Sequence, residues 1–299
     1  MKFKTLVVLT MILSAANSFA QQTDPTVSTS TGASTPTGPT VLDGVFVKEH
    51  KDEREPLQYP YLREADVMWS KRIWRVIDLN EKINLPLRYP ISKINDRKSL
   101  IDLFLDAIKE GTLTAYDATN SDEFILPTTY AGVMSRGGSR VDTVQMQRPD
   151  PPYDSYDTVI TKEFSSDKVV AYRLKEDWFF DKQRSVMDVR IIGIAPLVYA
   201  VDESGNIRPG NIKLPLFWIY YPEARALLAH AESFNRENDA ERRNFDDIFQ
   251  KRLFSSYITK ESNVYDRRIE DYVQGVHALL EADRIKNDIT NFEHDMWEY

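Results

Sequence analysis

The 299-residue chain contains no cysteine and only four histidines, His50, His230, His277 and His294. The first absence excludes structural disulfides, thiolate metal sites, thiol catalysis and a lipid-accepting cysteine, so the fold must rest on its core. The second leaves little imidazole for chemistry, because none of the four belongs to an H-E-x-x-H pattern or a His-rich tract. His277 and Glu281 stand one helical turn apart, and two ordinary ligands make a weak metal site. His294, between Glu293 and Asp295, reads as a solvated helix end. Neither G-x-S-x-G nor G-x-x-x-x-G-K-[ST] occurs, which removes the nucleophile elbow and the P-loop. Long apolar runs are also missing: no stretch approaches the roughly 20 apolar residues that span a bilayer, so no direct membrane insertion is expected.

What remains of possible chemistry is weak. Arg136-Gly137-Gly138-Ser139-Arg140 approaches a phosphate cradle, yet it lacks the preceding strand and following helix that would aim its amides, and it reads as a flexible loop. Asp246 with Asp247, or Asp157 with Glu163, are residue types that serve glycoside hydrolysis, but among 46 acids such pairs arise freely. Asp202 to Asn206, DESGN, matches only part of a calcium loop and lacks the twelfth-position glutamate. No enzymatic activity and no cofactor is expected.

Lys2 and Lys4 precede the apolar run Leu6 to Leu13, and the small residues Ser18 and Ala20 suit cleavage before Gln21, so residues 1–20 read as a secretory signal peptide. Removing them takes Lys+Arg from 38 to 36 against 46 acids and moves the formal charge from -8 to -10. An acidic mature chain argues against nonspecific binding to nucleic acid or to anionic membrane. Residues 21–40 are dominated by Thr, Ser, Pro and Gly and cannot bury enough surface to offset ordering, which predicts a disordered spacer.

Residues 41–299 read as one α+β domain: an extended arm over 41–61, a helical part over 62–110, a central antiparallel β-rich region over 111–221 and helices over 222–299. In the arm, Pro56 and Pro60 disfavour a helix while Tyr59 and Tyr61 offer aromatic anchors. From Glu64, the apolar residues Met68, Trp69, Ile73, Val76 and Ile77 recur at helical spacing, which predicts an amphipathic helix that Asn84, Pro86 and Pro90 terminate. A second helix is predicted from Asp96 or Ser99 to Glu110, stopped by Gly111. Met187, Val189 and Ile191 alternate with Asp188 and Arg190 as in a strand, and DESGN connects that strand to the run Ile212 to Tyr221. Pro196 and Pro215 predict bulges or edge positions there. Pro222 opens a helix through Ala224, Leu227, Leu228, Ala231 and Phe234, and Phe245, Ile248, Phe249 and Leu253 mark the next. In the last, one stripe runs through Ile269, Val273, Val276 and Leu280 and a displaced one through Ile285, Ile289, Phe292 and Met296, so either the helix breaks near Ala282 and Asp283 or its second half packs elsewhere.

Four passages of text carry a resemblance: DGVFVKEH from Asp43, YPYLREADVMWSKRIWRVIDLNEKINLPLRYP from Tyr59, AYDATNSDEF from Ala115, and YDRRIEDYVQGVHALLEADRIKNDITNFEHDMWEY from Tyr265. Together they resemble the GldN/PorN family of the type IX secretion and gliding machinery, over nearly all of the mature chain. The resemblance implies a non-enzymatic periplasmic subunit, peripheral to the outer membrane. It would assemble in a large ring with further copies and a GldK/PorK-like outer-membrane lipoprotein, and meet a GldM/PorM-like motor protein. Phe46, Tyr59 and Tyr61 of the arm and Phe292, Met296 and Trp297 of the terminal helix are the candidate partner-binding residues. The alternatives are an exported hydrolase or envelope-polymer binder, distinguished by turnover or binding of glycan fragments, and a monomeric adaptor or chaperone, distinguished by transient association. The exported protein, recovered from the periplasm, is expected to have the intact mass of a chain beginning at Gln21. A mass that retains residues 1–20 would remove the signal peptide.

Overall fold

A computed structural model describes residues 54–296 except 95–96, 120, 148–154, 163, 203–205, 237 and 239. The expected signal peptide and spacer, the first part of the arm with Phe46, the bend at 148–152 and Trp297 lie outside the described residues.

The first long element corrects the sequence expectation: Val67–Asp78 is a strand, β1, where a helix was predicted. Apolar residues that read as a helical stripe instead divide between the two faces of a buried strand. Trp69, Ile73 and Ile77 point one way, Trp74 and Val76 the other, and the β-branched and aromatic content suits a pleated surface. The charges that looked like a wet helix face are neutralised across the strand boundaries. Arg72 makes a bidentate pair with Asp177, at 2.6 and 2.9 Å, and Lys71 reaches Glu261 at 2.6 Å.

After the single turn α1 (Leu85–Arg88) comes α2 (Leu100–Glu110), with the boundaries its sequence predicts. Ser99 caps it by accepting from the Asp102 amide at 3.2 Å, and Gly111 ends it at φ +77°, a conformation that only glycine adopts without strain. Then follow β2 (Ala115–Tyr116), β3 (Pro127–Thr128), α3 (Tyr130–Arg136), the paired β4 (Arg140–Gln147) and β5 (Ser155–Lys162), and the long hairpin strands β6 (Val169–Asp181) and β7 (Val186–Tyr199). The chain continues through β8 (Lys213–Pro215), β9 (Trp218–Tyr220), α4 (Tyr221–His230), β10 (Glu232–Ser233), β11 (Arg243–Asn244) and α5 (Phe245–Gln250). It closes with β12 (Tyr257–Glu261) and α6 (Val276–Asp295). The α+β class and the β-rich centre are therefore as expected, but α4 stops at His230, short of Ala231 and Phe234, and β10, β11 and the longer β12 interrupt the region read as wholly helical after Pro222. The β12 residues Tyr257, Ile258 and Thr259 favour a strand, and β1 offers the partner.

The main sheet is antiparallel in the order β12-β1-β6-β7-β9-β2-β3, with β8 added to β7. Pro215 lies in β8, which pairs only with β7, as a strand proline should. Pro196 is inside β7, but its carbonyl accepts from Leu216 in the gap between β8 and β9 (2.9 Å), so its missing N–H faces that same gap. One face of the sheet buries Ile77, Tyr172, Leu174 and Ile219 against α2, α4 and α5. On the same face, Ile73 and Ile258 meet Ala282, Ile285 and Ile289 of α6. This also resolves the two terminal stripes. The helix begins at Val276 and runs unbroken past Ala282, its second stripe packing on the sheet while Val276 and Leu280 of the first stay exposed.

Between these two cores sits a carboxylate. Glu176 is 0% exposed and accepts from Arg252 Nη1 and Nη2 at 3.0 and 3.2 Å and from Trp178 Nε1 at 3.1 Å, with Arg75 Nε at 3.9 Å. Arg252 follows α5 at φ +51°, the left-handed C-terminal position where glycine is usual, while Leu253 N–H closes the turn on Ile248 O at 2.9 Å. A non-glycine residue there costs roughly 1–2 kcal/mol, so the pairing with Glu176 holds the turn against its own preference. Arg252→Gly is therefore expected to destabilise despite relieving backbone strain, by about 3 kcal/mol, because it leaves a buried charge with only the Trp178 indole and the more distant Arg75. The check is the midpoint of urea unfolding, and a gain in stability would refute the role given to the pair.

Candidate assembly surface

The described part of the arm, residues 54–61, is not a free tail but a strap held by arginines from distant elements. Arg225 of α4 is buried beside Asp246 of α5, with Nε to Oδ1 at 3.3 Å, and Tyr221 donates to the same carboxylate at 3.2 Å. Having neutralised Asp246, the guanidinium presents its plane outward. Tyr59 lies on it, 4.2 Å from ring centroid to Cζ, and a second guanidinium, Arg190 of β7, lies 5.1 Å from the same ring. Both arginines also fix the backbone: Arg225 donates to Leu57 O at 2.5 Å and Arg190 to Pro60 O at 2.6 Å. Gln250 donates to the Tyr59 hydroxyl at 2.9 Å, and Arg54 donates to Arg242 O at 3.1 Å. The prolines at 56 and 60 keep the strap extended, which leaves these carbonyls available to side-chain donors.

The six predicted partner-binding residues thus separate. Tyr59 is an internal anchor, whereas Tyr61, two residues on, is 86% exposed, and Leu57 is 77% exposed. Phe292 of α6 is spent partly inside the molecule, stacked at 4.8 Å on Trp69 of β1, and Met296 is half-buried at the end of that helix. Phe46 and Trp297 lie outside the described residues. Sequence reading missed Arg190, Arg225 and Gln250, which arrive from more than 100 residues away and whose spacing carries no signal. It found the stripe containing Val276 and Leu280 but not that their side chains, with Leu279, form an exposed apolar strip on α6.

The chemical candidates are occupied structurally. Asp246 holds Arg225, while Asp247 pairs with Lys251 at 3.0 Å, so the two carboxylates face different partners. Arg136 donates to Leu216 O at 2.9 Å and pairs with Asp117, and a side chain at Gly137 would collide with the Phe164 ring at 2.4 Å. The Arg-Gly-Gly loop is thus bound to its own fold. Glu281 pairs with Arg284, which holds its carboxyl below the usual range, and accepts from Tyr272 at 3.4 Å. Among the described residues no group of three His, Asp or Glu side chains converges, and no helix is long and apolar enough to cross a membrane.

A family model described as Gliding motility associated protein GldN matches residues 62–298. No curated protein matches the chain. Among the described residues the matched region contains the main sheet and α1 to α6 but begins just after Tyr61, so the anchoring part of the strap precedes it.

Burial raises the Tyr59 phenol above its ordinary 10.0, with Arg225 pulling the other way. The neutral ring is the form the seat holds, so its contribution is complete below that value and is lost as pH rises through the raised one. Tyr59→Ala is expected to cost about 1–2 kcal/mol and to speed amide exchange in the strap around Leu57 to Tyr61. Tyr61→Ala should stay within about 0.5 kcal/mol of the parent. Hydrogen exchange by mass spectrometry checks both, and equal effects from the two would dissolve the distinction between anchor and exposed residue.

Proposed function

The chain belongs to the GldN family, and is thereby a component of the gliding-motility and type IX secretion machinery; on that premise we propose that it is a non-enzymatic, periplasmic structural subunit. In this reading it associates with a GldK/PorK-like outer-membrane lipoprotein, repeats as copies within a large ring and meets a GldM/PorM-like motor protein. The observation that carries it is the family match over residues 62–298.

The geometry adds a surface suited to repeated contacts. A strap clamped at Leu57 O and Pro60 O presents Leu57 and Tyr61 from a backbone already ordered, which lowers the entropy lost when a partner binds. Aromatic residues presented this way are frequent anchors of interfaces. The strip of Val276, Leu279 and Leu280 on α6 supplies apolar area in a second place. We assign neighbouring subunits or the lipoprotein to these two surfaces, with Phe46, Met296 and Trp297 extending them and Tyr59 and Phe292 bracing them from within.

Gradient sedimentation of the gently solubilised, crosslinked envelope tests the reading, with this chain tracked and its companions identified by mass spectrometry. Migration in a very large particle with a lipoprotein is expected. Tyr61→Ala should reduce the share of chain in that particle while leaving the monomer folded. Migration as a free monomer under effective crosslinking would overturn the ring subunit.

A further inference from the structure

The sheet face opposite the helices carries a cleft that the assembly surface does not use. Residues paired directly across antiparallel strands share a face, and the register puts Trp74 of β1 beside Lys175 of β6 and Lys260 of β12, with Arg173 next along β6 opposite Val76. The loop after β2 forms one wall. It is pinned by Phe124, whose ring packs edge-on against Tyr116, Trp218 and Tyr220, above Gly193, where any side chain would strike the ring at 2.4 Å. The segment after β12 forms the other wall. Between them lies a cavity of about 260 Å³ whose lining includes Trp74, Thr119, Arg173, Trp218, Lys260 and Arg268.

The acids around this cavity already have donors. Asp122 accepts from the Trp74 indole at 2.5 Å and lies 3.5 Å from Lys175 Nζ. Asp266 pairs with Lys260 at 2.5 Å, and Asp271 accepts from the Arg268 backbone amide at 2.7 Å. Two guanidiniums remain. Neither Arg173 nor Arg268 has an ion pair among the described residues, and Arg173 Nε is shut off from solvent with no hydrogen-bond partner. Burial, together with the charge of Arg268, lowers Arg173 to about 10 against the opposing pull of Glu270, Tyr257 and Asp122, none of which pairs with it directly among the described residues. A half-buried guanidinium left unpaired beside a second one is costly unless an anion completes it.

We infer that this cleft binds a carboxylate, received by Arg173 and Arg268 against the indole wall of Trp74 and Trp218. Guanidinium recognises planar carboxylate through paired N–H donors. Three acids at the rim disfavour a phosphate dianion by comparison, and the volume is below the roughly 300–1,000 Å³ of drug-sized sites, which suits a group of about the size of a glutamate side chain. That carboxylate can come from a free diacid or from an acidic side chain of a peptide.

Tryptophan fluorescence of the full mature chain, titrated at constant ionic strength, reads the site directly because two indoles line it. The probes are glutarate, N-acetyl-Gly-Glu-Gly-amide, its Gln counterpart and inorganic phosphate. Saturable responses to glutarate, the Glu peptide or both are expected, with none to the Gln peptide. The tighter of the two binders identifies the source. Arg173→Gln and Arg268→Gln should each weaken binding at least tenfold, while Arg284→Gln, on the exposed side of α6, should leave it unchanged. Arg268 is exposed, so its variant tests the site even where Arg173→Gln fails to fold. No saturable response to either carboxylate, binding unaltered by the Arg268 change, or phosphate binding more tightly than both would overturn the inference.

Discussion

A single buried carboxylate sets the terms for much of this fold. Glu176 lies in the central strand pair with no solvent contact, and a bare charge there would cost several kcal/mol. Its compensation draws together elements far apart in sequence: β1 contributes Arg75, the turn after α5 contributes Arg252, and β6 itself contributes Trp178. Arg252 lies 5.5 Å from the Trp178 ring and 5.3 Å from the Phe254 ring, one packed with the α6 core and the other with the main core. The ionic knot thus joins two hydrophobic bodies that share no buried residue. The left-handed backbone of Arg252 follows from this, since the geometry that completes Glu176 outweighs the local preference for glycine.

The same logic recurs where the strap is seated. Asp246 is buried and requires Arg225, and once Arg225 is fixed, its guanidinium plane becomes a seat for an aromatic ring, which completes its burial. A core requirement therefore creates a docking position at the surface. Tyr59 uses it, with Arg190 on its other side, and the backbone that follows emerges with Tyr61 turned to solvent. Core electrostatics and the presentation of a candidate interface residue are one construction, and a change at Asp246 would reach Tyr61 without touching it.

How much of this was legible depended on whether the decisive partner was local. The helix from Leu100 to Glu110 was readable because its cap, its apolar face and Gly111 all lie within a dozen residues. β7 was readable because Met187, Val189 and Ile191 alternate on a strand half open to solvent. β1 was not, because its second half, Ile73 to Ile77, is buried on both faces and loses its alternation, and because Arg72 and Lys71, which suggested a helix face, pair with Asp177 and Glu261 of neighbouring strands. β12 failed for length: five residues between helices give little periodicity, and its stability comes from β1. For the surface, aromatic content identified the arm, but nothing in the spacing of the chain distinguished Tyr59 as anchor from Tyr61 as exposed ring. That division is made by Arg225 and Arg190.

The two faces of the sheet show the converse problem. On the helical face the two buried carboxylates have their opposites: Glu176 its arginines, Asp246 its own. On the other face, where loops rather than helices form the cover, Trp74 lies between Lys260 at 4.5 Å and Lys175 at 5.9 Å, and the acids serve the lysines and backbone first. Cation–π contact helps that face hold two ammonium groups beside one indole. It does not remove the charge. A chain with 46 acids and 38 basic residues is acidic overall, whereas the cleft lining sets Arg173, Lys260 and Arg268 against Asp122, Asp266 and Asp271, so the field there differs from the global one. With the lining acids turned to Lys260, Trp74 and the Arg268 amide, an anion would be received at short range by the guanidiniums while the whole molecule repels it at long range, so it enters through the fit of the cleft rather than through bulk attraction.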